Sequence, residues 1–225
     1  MIKLCIFDLD GTVLDTVHTI AYYGNYALSK HGIEPIAVKE YNYFAGNGAV
    51  NLIKRALRFR DALTDETFEK VFADYNAAYN ADTSYLTAPF EGIKETLDAI
   101  KAMGIKMAVL SNKPHFATCG VITSLFGEGY FDCVYGQRDD VPIKPDPTAV
   151  HAIMNELSVK ADECLYIGDT GTDMKTGKNA DLYTVGVLWG FRGKEELLEN
   201  GADITIEKPS ELLDCITAHG KVGTL

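Results

Sequence analysis

Lys3-Leu-Cys-Ile-Phe7, followed at once by Asp8-Leu-Asp10-Gly11-Thr12, decides how the rest of the chain is read. The apolar run is too short for a helix and stops at turn residues, as a strand buried on both faces does. Alternate residues of a strand point the same way, so Asp8 and Asp10 are expected to face one spot where the chain leaves the sheet. Two carboxylates that close repel unless a cation or a shared proton intervenes. Gly11 allows the backbone to turn sharply behind them, and Thr12 brings a hydroxyl that can cap or bind.

The whole chain narrows what such a pair can serve. Its 225 residues suffice for one large domain, or a core with a smaller insertion, and 47% hydrophobic with 24% charged residues is ordinary globular composition. A net charge of −11 argues against nucleic acid or an anionic membrane as partner. It also means that an anionic substrate requires a local cation. Five cysteines, at 5, 119, 133, 164 and 215, are odd in number and lack Cys-x-x-Cys spacing. With no charged-then-apolar leader before Ile2 and no apolar stretch near the ~18–20 residues that span a bilayer, the expectation is a reduced, cytoplasmic, soluble protein.

Between Thr16 and Tyr85 helical spacing replaces strand patterning. Ile20, Tyr23, Ala27 and Leu28 repeat at three to four residues, with Gly32 as a stop. A short helix near 38–44 follows, then Gly46-Asn47-Gly48. Val50, Ile53 and Leu57 mark an amphipathic helix with Lys54, Arg55 and Arg58 on its flank, and Thr64-Asp-Glu-Thr67 opens a capped fourth helix. Eight of the 12 tyrosines lie in this segment, where packing of a small bundle is their simplest use. From Phe90 onward strands and helices alternate: strands at 106–110, 133–135, 164–167, 183–188 and 204–206, with helices between them and at 210–218. That alternation predicts an α/β fold, a doubly wound parallel sheet with an inserted helical unit; residues 1–15 and 86–225 form the core and 16–85 the insert.

Ligands of such sheets bind beyond the carboxyl ends of the strands, and polar residues recur there. Asp8 and Asp10 follow the first strand, Ser111 and Asn112 the second, and Asp169 and Asp173 sit in Gly168-Asp-Thr-Gly-Thr-Asp173 after a third; Lys144 begins a loop on the same rim. Carboxylates without histidine make an oxygen-only site, which suits Mg²⁺ better than zinc. A metal there relieves the repulsion and neutralises phosphate, one carboxylate can attack phosphorus, and its neighbour can move the proton. Lys144, Ser111 and Asn112 offer an ammonium, a hydroxyl and an amide to phosphate oxygens.

Asp8-Leu-Asp10-Gly-Thr12, Ser111-Asn112, Lys144-Pro145 and Gly168-Asp169-x-x-x-Asp173, in this order, resemble the haloacid dehalogenase superfamily, and the likeness covers essentially the whole chain. The insert resembles that superfamily's C1-type cap. Gly46-Asn47-Gly48-Ala49, Arg55-Ala56-Leu57, Val185-Gly186-Val187 and Trp189-Gly190 look most like its phosphoglycolate phosphatase group. The resemblance implies Asp8 as nucleophile and Asp10 as general acid/base. It implies Mg²⁺ held by Asp8, the Asp10 main-chain carbonyl and Asp169 with Asp173 in support, and phosphate bound by Ser111, Asn112 and Lys144. Thr12 and Asn47 are further substrate-binding candidates, with His18, Tyr22 and Arg55 as readers of the leaving group and segments 12–17 and 83–90 as hinges of a lid. The expected reaction is hydrolysis of a small phosphorylated metabolite through an aspartyl phosphate, by a monomer or homodimer. A β-phosphoglucomutase-like mutase and a pyrophosphatase or nucleotidase share the motifs. The superfamily's dehalogenases lack the second aspartate, and a receiver-like signalling module needs neither Asp10 nor a seventy-residue insert.

Overall fold

The computed structural model describes residues 1–220, and the strand read first is its centre. β1 (Leu4–Phe7) is buried at every position. Cys5 and Phe7 enter one apolar layer and Leu4 and Ile6 the other, as strand periodicity requires. β4 (Lys106–Pro114) and β6 (Cys164–Gly168) flank β1, and with β5 (Cys133–Gln137), β7 (Tyr183–Val187) and β8 (Ile204–Ile206) they form a six-stranded parallel sheet in the order β5-β4-β1-β6-β7-β8. α5 (Ile93–Ala102) and α10 (Glu211–Gly220) cover one face with Ile93, Leu97, Leu212 and Ile216. α7 (Thr148–Leu157) packs Val150 and Ile153 on the other. Asp146 accepts the Thr148 N–H at 2.9 Å at the start of α7.

β2 (Leu14–Asp15) pairs antiparallel with β3 (Ala88–Pro89), so the chain leaves the core and returns to it at one point. Between them lie α1 (Val17–Lys30), α2 (Val38–Phe44), α3 (Gly48–Phe59) and α4 (Asp65–Ala81). Thr64 accepts the Thr67 N–H and caps α4. The insert has an apolar centre of its own, with Ile20, Leu28, Ile53, Leu57 and Val71 around Tyr41. Tyr41 donates to Asn25 Oδ1 at 3.0 Å. A Cβ on Gly24 would lie 2.6 Å from that ring, so α1 and α2 approach as closely as they do only with glycine there.

Three expectations are corrected. Only Tyr23, Tyr41, Tyr75 and Tyr79 of the insert's eight tyrosines are buried; Tyr22, Tyr26, Tyr43 and Tyr85 are exposed. Val50 is exposed and Leu52 and Ala56 complete the inner face of α3, because the helix begins at Gly48 and its apolar stripe starts one turn later. β4 does not stop at Leu110. A register shift between Leu110 and Pro114 lets it run on beside Gln137, so Ser111, Asn112 and Lys113 are buried strand residues instead of loop residues.

Candidate active site

Three carboxylates converge beyond the carboxyl ends of β1 and β6. Asp8, Asp169 and Asp173 are buried, and one oxygen of each lies within 4.8 Å of the others. Local chemistry fixes each one. Asp8 follows β1, and its N–H donates to Ile167 O at 2.8 Å. Asp169 accepts from Thr12 Oγ1 at 2.9 Å and from the Phe191 N–H at 2.8 Å. α8 (Gly171–Asn179) opens with a capping box in which Thr170 accepts the Asp173 N–H while Asp173 Oδ2 accepts from Thr170 N and Oγ1 at 3.1 and 2.6 Å. Glycine makes the approach possible: Gly11 has φ +95°, and a Cβ there would lie 2.2 Å from Asp169 Oδ2.

Burial and repulsion dominate the electrostatics. Burial first, then the neighbouring Asp173, pushes the Asp8 carboxyl up to about 7. Burial and then Asp8 hold Asp169 well above the carboxylate range. Lys144 Nζ compensates in part, donating to Asp8 Oδ1 and Asp173 Oδ1 at 2.7 Å each and to Leu110 O at 3.1 Å. Burial disfavours its charge, but Asp173 and Asp8 together raise Lys144 well above the ordinary lysine value. Three carboxyl groups facing one ammonium leave the site short of positive charge when they ionise. That donor set, with no histidine or cysteine, fits a hard divalent cation such as Mg²⁺.

A cavity of ≈ 50 Å³ lies between the sheet rim and the helical insert. Asp8, Asp10, Ser111, Asn112 and Lys113 form its floor, and Ile20, Leu52, Tyr75, Asn76, Tyr79 and Asn80 its roof. Asp10 stands apart from the carboxylate trio and receives Lys113 Nζ at 3.0 Å. Ser111 Oγ accepts the Lys113 N–H at 3.2 Å. Asn112 lines the cavity and also clamps its edge: Nδ2 donates to Gly46 O in the insert and to Lys144 O, and Oδ1 accepts the Lys144 N–H.

Several expected contacts lie elsewhere. Thr12, expected to bind substrate, is fully buried and gives its hydroxyl to Asp169. Lys144, expected to bind phosphate, is outside the cavity lining and engaged by carboxylates. Asn47 joins insert to core, donating to Thr172 Oγ1 at 2.8 Å and accepting from Arg55 at 2.7 Å. Its φ of −114° is not left-handed; Gly46 and Gly48 take the positive angles. Arg55 points back to α2, whose closing carbonyls at Tyr43 and Phe44 it caps. His18 and Tyr22 face an outer groove of the insert with Tyr26 and Leu86.

Other residues do the work of reach and closure. Lys113 was missed, although the alternation used for Asp8 and Asp10 puts it on the face of Ser111. Thr170-x-x-Asp173 carries a readable capping spacing. Arg192, before α9 (Lys194–Glu199), donates to the insert's Asn42, Tyr43 and Ala45 carbonyls and is steadied by Glu196 at 3.2 Å. No spacing in the sequence marks that long-range contact.

The family model for haloacid dehalogenase-like hydrolases matches residues 5–187. A phosphoglycolate phosphatase of Aquifex aeolicus is 31% identical over 219 residues, 96% of this chain and 98% of the relative. One of Pseudomonas fluorescens is 31% identical over 221 residues, 96% and 78% of the two chains. Among solved structures, a proposed phosphoglycolate phosphatase of Lactobacillus delbrueckii aligns with a TM-score of 0.91 at 30% identity, over 95% of this chain and 98% of that one. A proposed β-phosphoglucomutase of Thermotoga maritima aligns over 96% and 99% with a TM-score of 0.72 at 21% identity, a likeness of fold.

Proposed function

The chain belongs to the haloacid dehalogenase-like hydrolase family and is a phosphatase, and from that premise we propose that it hydrolyses a small, phosphoglycolate-like monoester through an aspartyl phosphate on Asp8. The observation that carries the reading is that Asp8 and Asp10 both line the floor of one cavity, beside Ser111 and Asn112. Lys144 holds Asp8 Oδ1, which orients the carboxylate for attack by an oxygen on phosphorus. The bond from phosphorus to the ester oxygen breaks, and the leaving alkoxide takes a proton from Asp10. Asp10 then removes a proton from water, whose oxygen attacks phosphorus and releases Asp8 and inorganic phosphate. Ser111 and Asn112 are placed to bind phosphate oxygens on the cavity floor. Mg²⁺ held by Asp8, Asp169, Asp173 and the Asp10 carbonyl would neutralise phosphate charge and the mutual repulsion of the carboxylates.

Residues 16–85 act as a lid in this reading, with the β2–β3 ladder as its hinge and Arg192 as a latch. A mutase needs charge for a second phosphate, and the described lid residues lining the cavity contribute no lysine or arginine. No helix among the described residues is long and apolar enough to cross a membrane. The free cysteines are consistent with a reducing, cytoplasmic setting. Phosphate release from phosphoglycolate, sugar phosphates, nucleotides and pyrophosphate, with Mg²⁺ and with chelator, tests the proposal. Selective Mg²⁺-dependent hydrolysis of a small monoester is expected; isomerisation of a sugar phosphate without phosphate release would favour the mutase.

A further inference from the structure

Each aspartate of the proposed reaction is held by its own lysine. Lys144 Nζ donates to Asp8 Oδ1 at 2.7 Å, and Lys113 Nζ donates to Asp10 Oδ1 at 3.0 Å. β1 and β4 are neighbours with Phe7 beside Val109, so three residues past Phe7 and four past Val109 the chain brings Asp10 and Lys113 to one rim. The Lys113 backbone is fixed there. Its N–H donates to Ser111 Oγ at 3.2 Å, and its carbonyl accepts from Thr118 Oγ1 at 3.2 Å. The Tyr79 ring covers Nζ, with its centre 4.9 Å away. A ring face attracts the charge without accepting through a directed lone pair. Among the described residues, Asp10 Oδ1 is therefore the one hydrogen-bond acceptor that Lys113 Nζ meets, and Asp10 Oδ2 accepts from no group.

We propose that Lys113 is a positioning residue for proton transfer: it occupies Asp10 Oδ1 and so confines the transferred proton to Oδ2. The role rests on the phosphatase reading above, with Asp10 as its acid and base. An ammonium only donates, and the carbonyl oxygen of a carboxylic acid accepts better than its hydroxyl oxygen. The oxygen facing Lys113 is thus the carbonyl one, and the proton stands on the other. Little water competes for Oδ1, since the two side chains are only 4% and 16% exposed. As an Asp8 oxygen bonds to phosphorus and the bond to the ester oxygen breaks, the proton on Oδ2 passes to that oxygen. Asp10 is left as a carboxylate paired with Lys113. In the second step Oδ2 takes a proton back from the attacking water. Lys113 itself exchanges no proton; it fixes which oxygen of Asp10 does.

Ethyl phosphate and acetyl phosphate form a matched pair, alike in carbon count, in which ethoxide needs a proton to leave and acetate does not. A merely structural loss lowers kcat/KM equally for both, so the ratio between them is the readout. With Mg²⁺ present, Lys113→Met should lower kcat/KM for ethyl phosphate about 10²-fold more than for acetyl phosphate, the cost of an acid held out of place. Lys113→Arg, which also only donates, should restore much of that difference. Asp10→Asn is the control and should show a selective loss at least as large. Equal losses in Lys113→Met beside a selective loss in Asp10→Asn overturn the role of Lys113 and leave the phosphatase reading standing. Equal losses in Asp10→Asn, or no phosphate release from either compound by the wild type, overturn that reading instead. If ethyl phosphate turns over too slowly to measure, phosphoglycolate takes its place. Circular dichroism checks the fold of each variant. If Lys113→Met does not fold, Lys113→Gln replaces it with the same expected selective loss, because its amide oxygen can accept a proton from Oδ1 and undo the confinement.

Discussion

The two walls of the cavity are built by opposite means. On the core side the charged groups are held by named partners, and all but the half-buried Asp10 are buried: Asp8 by Lys144, Asp169 by Thr12 and Phe191 N, Asp173 by Thr170, Asp10 by Lys113. On the lid side aliphatic, tyrosine and amide groups offer no charge, and the lid is itself held by carbonyls bonded to Arg192 and Asn112. A rigid charged floor can fix a transition state, whereas a neutral docked roof can only select size and exclude water. The chemistry should therefore be far more sensitive to changes in the floor than in the roof.

The largest test of that asymmetry is Asp8→Asn, which should lower kcat by at least ~10⁴-fold with the fold intact by circular dichroism, as loss of a covalent nucleophile does. Asp10→Asn should cost about 10²–10⁴-fold in both phosphorylation and hydrolysis, measured by single-turnover kinetics. Full activity would leave Asp10 only a backbone role.

The floor should also cost stability when it is empty and charged. The native carboxyls of Asp8 and Asp169 lie above their unfolded values, so the native state binds more protons across that window. Stability is then greatest at low pH and falls as pH rises from about 4 to about 7. Metal-free protein should melt about 5 °C or more lower at pH 8 than at pH 5, Asp8→Asn should flatten the slope, and Mg²⁺ should restore the loss at pH 8. The smallest effect is expected at the lid. Arg192→Ala should lower kcat/KM for a small ester by roughly 10-fold, chiefly through KM, with no change in the pH-dependence of melting. A floor-sized loss there would mean that closure assembles the chemistry and does not merely shelter it.

The sequence told the floor's chemistry better than its geometry. The strand-end positions of Asp8 and Asp169 followed from apolar runs and turn residues, which are local signals, whereas β4 runs on through Ser111. The helical insert followed from spacing, and its ladder partners Leu14 and Pro89 flank it as expected of a single crossing point. What was not legible depends on long-range contacts. Thr12 turns to Asp169, 157 residues away, and Lys144 to Asp8, 136 residues away, and neither pairing leaves a periodic trace. On the lid, His18 and Arg55 looked like readers because they are polar, yet packing turned them outward or back onto α2. Ile20, whose spacing marked it as bundle core, faces the cavity together with Leu52, Tyr75 and Tyr79. An inward face of a lid helix and a buried bundle face carry the same pattern, so periodicity alone does not separate them.

The central claim is that Asp8 carries the phosphoryl group. Acid quench during turnover of phosphoglycolate, followed by borohydride reduction and peptide mass spectrometry, tests it directly, because an acyl phosphate is reduced to the alcohol. Conversion of Asp8 to homoserine, dependent on substrate and Mg²⁺, is the predicted result. Reduction at another residue, or rapid turnover with Asp8 unmodified at every quench time, would contradict it.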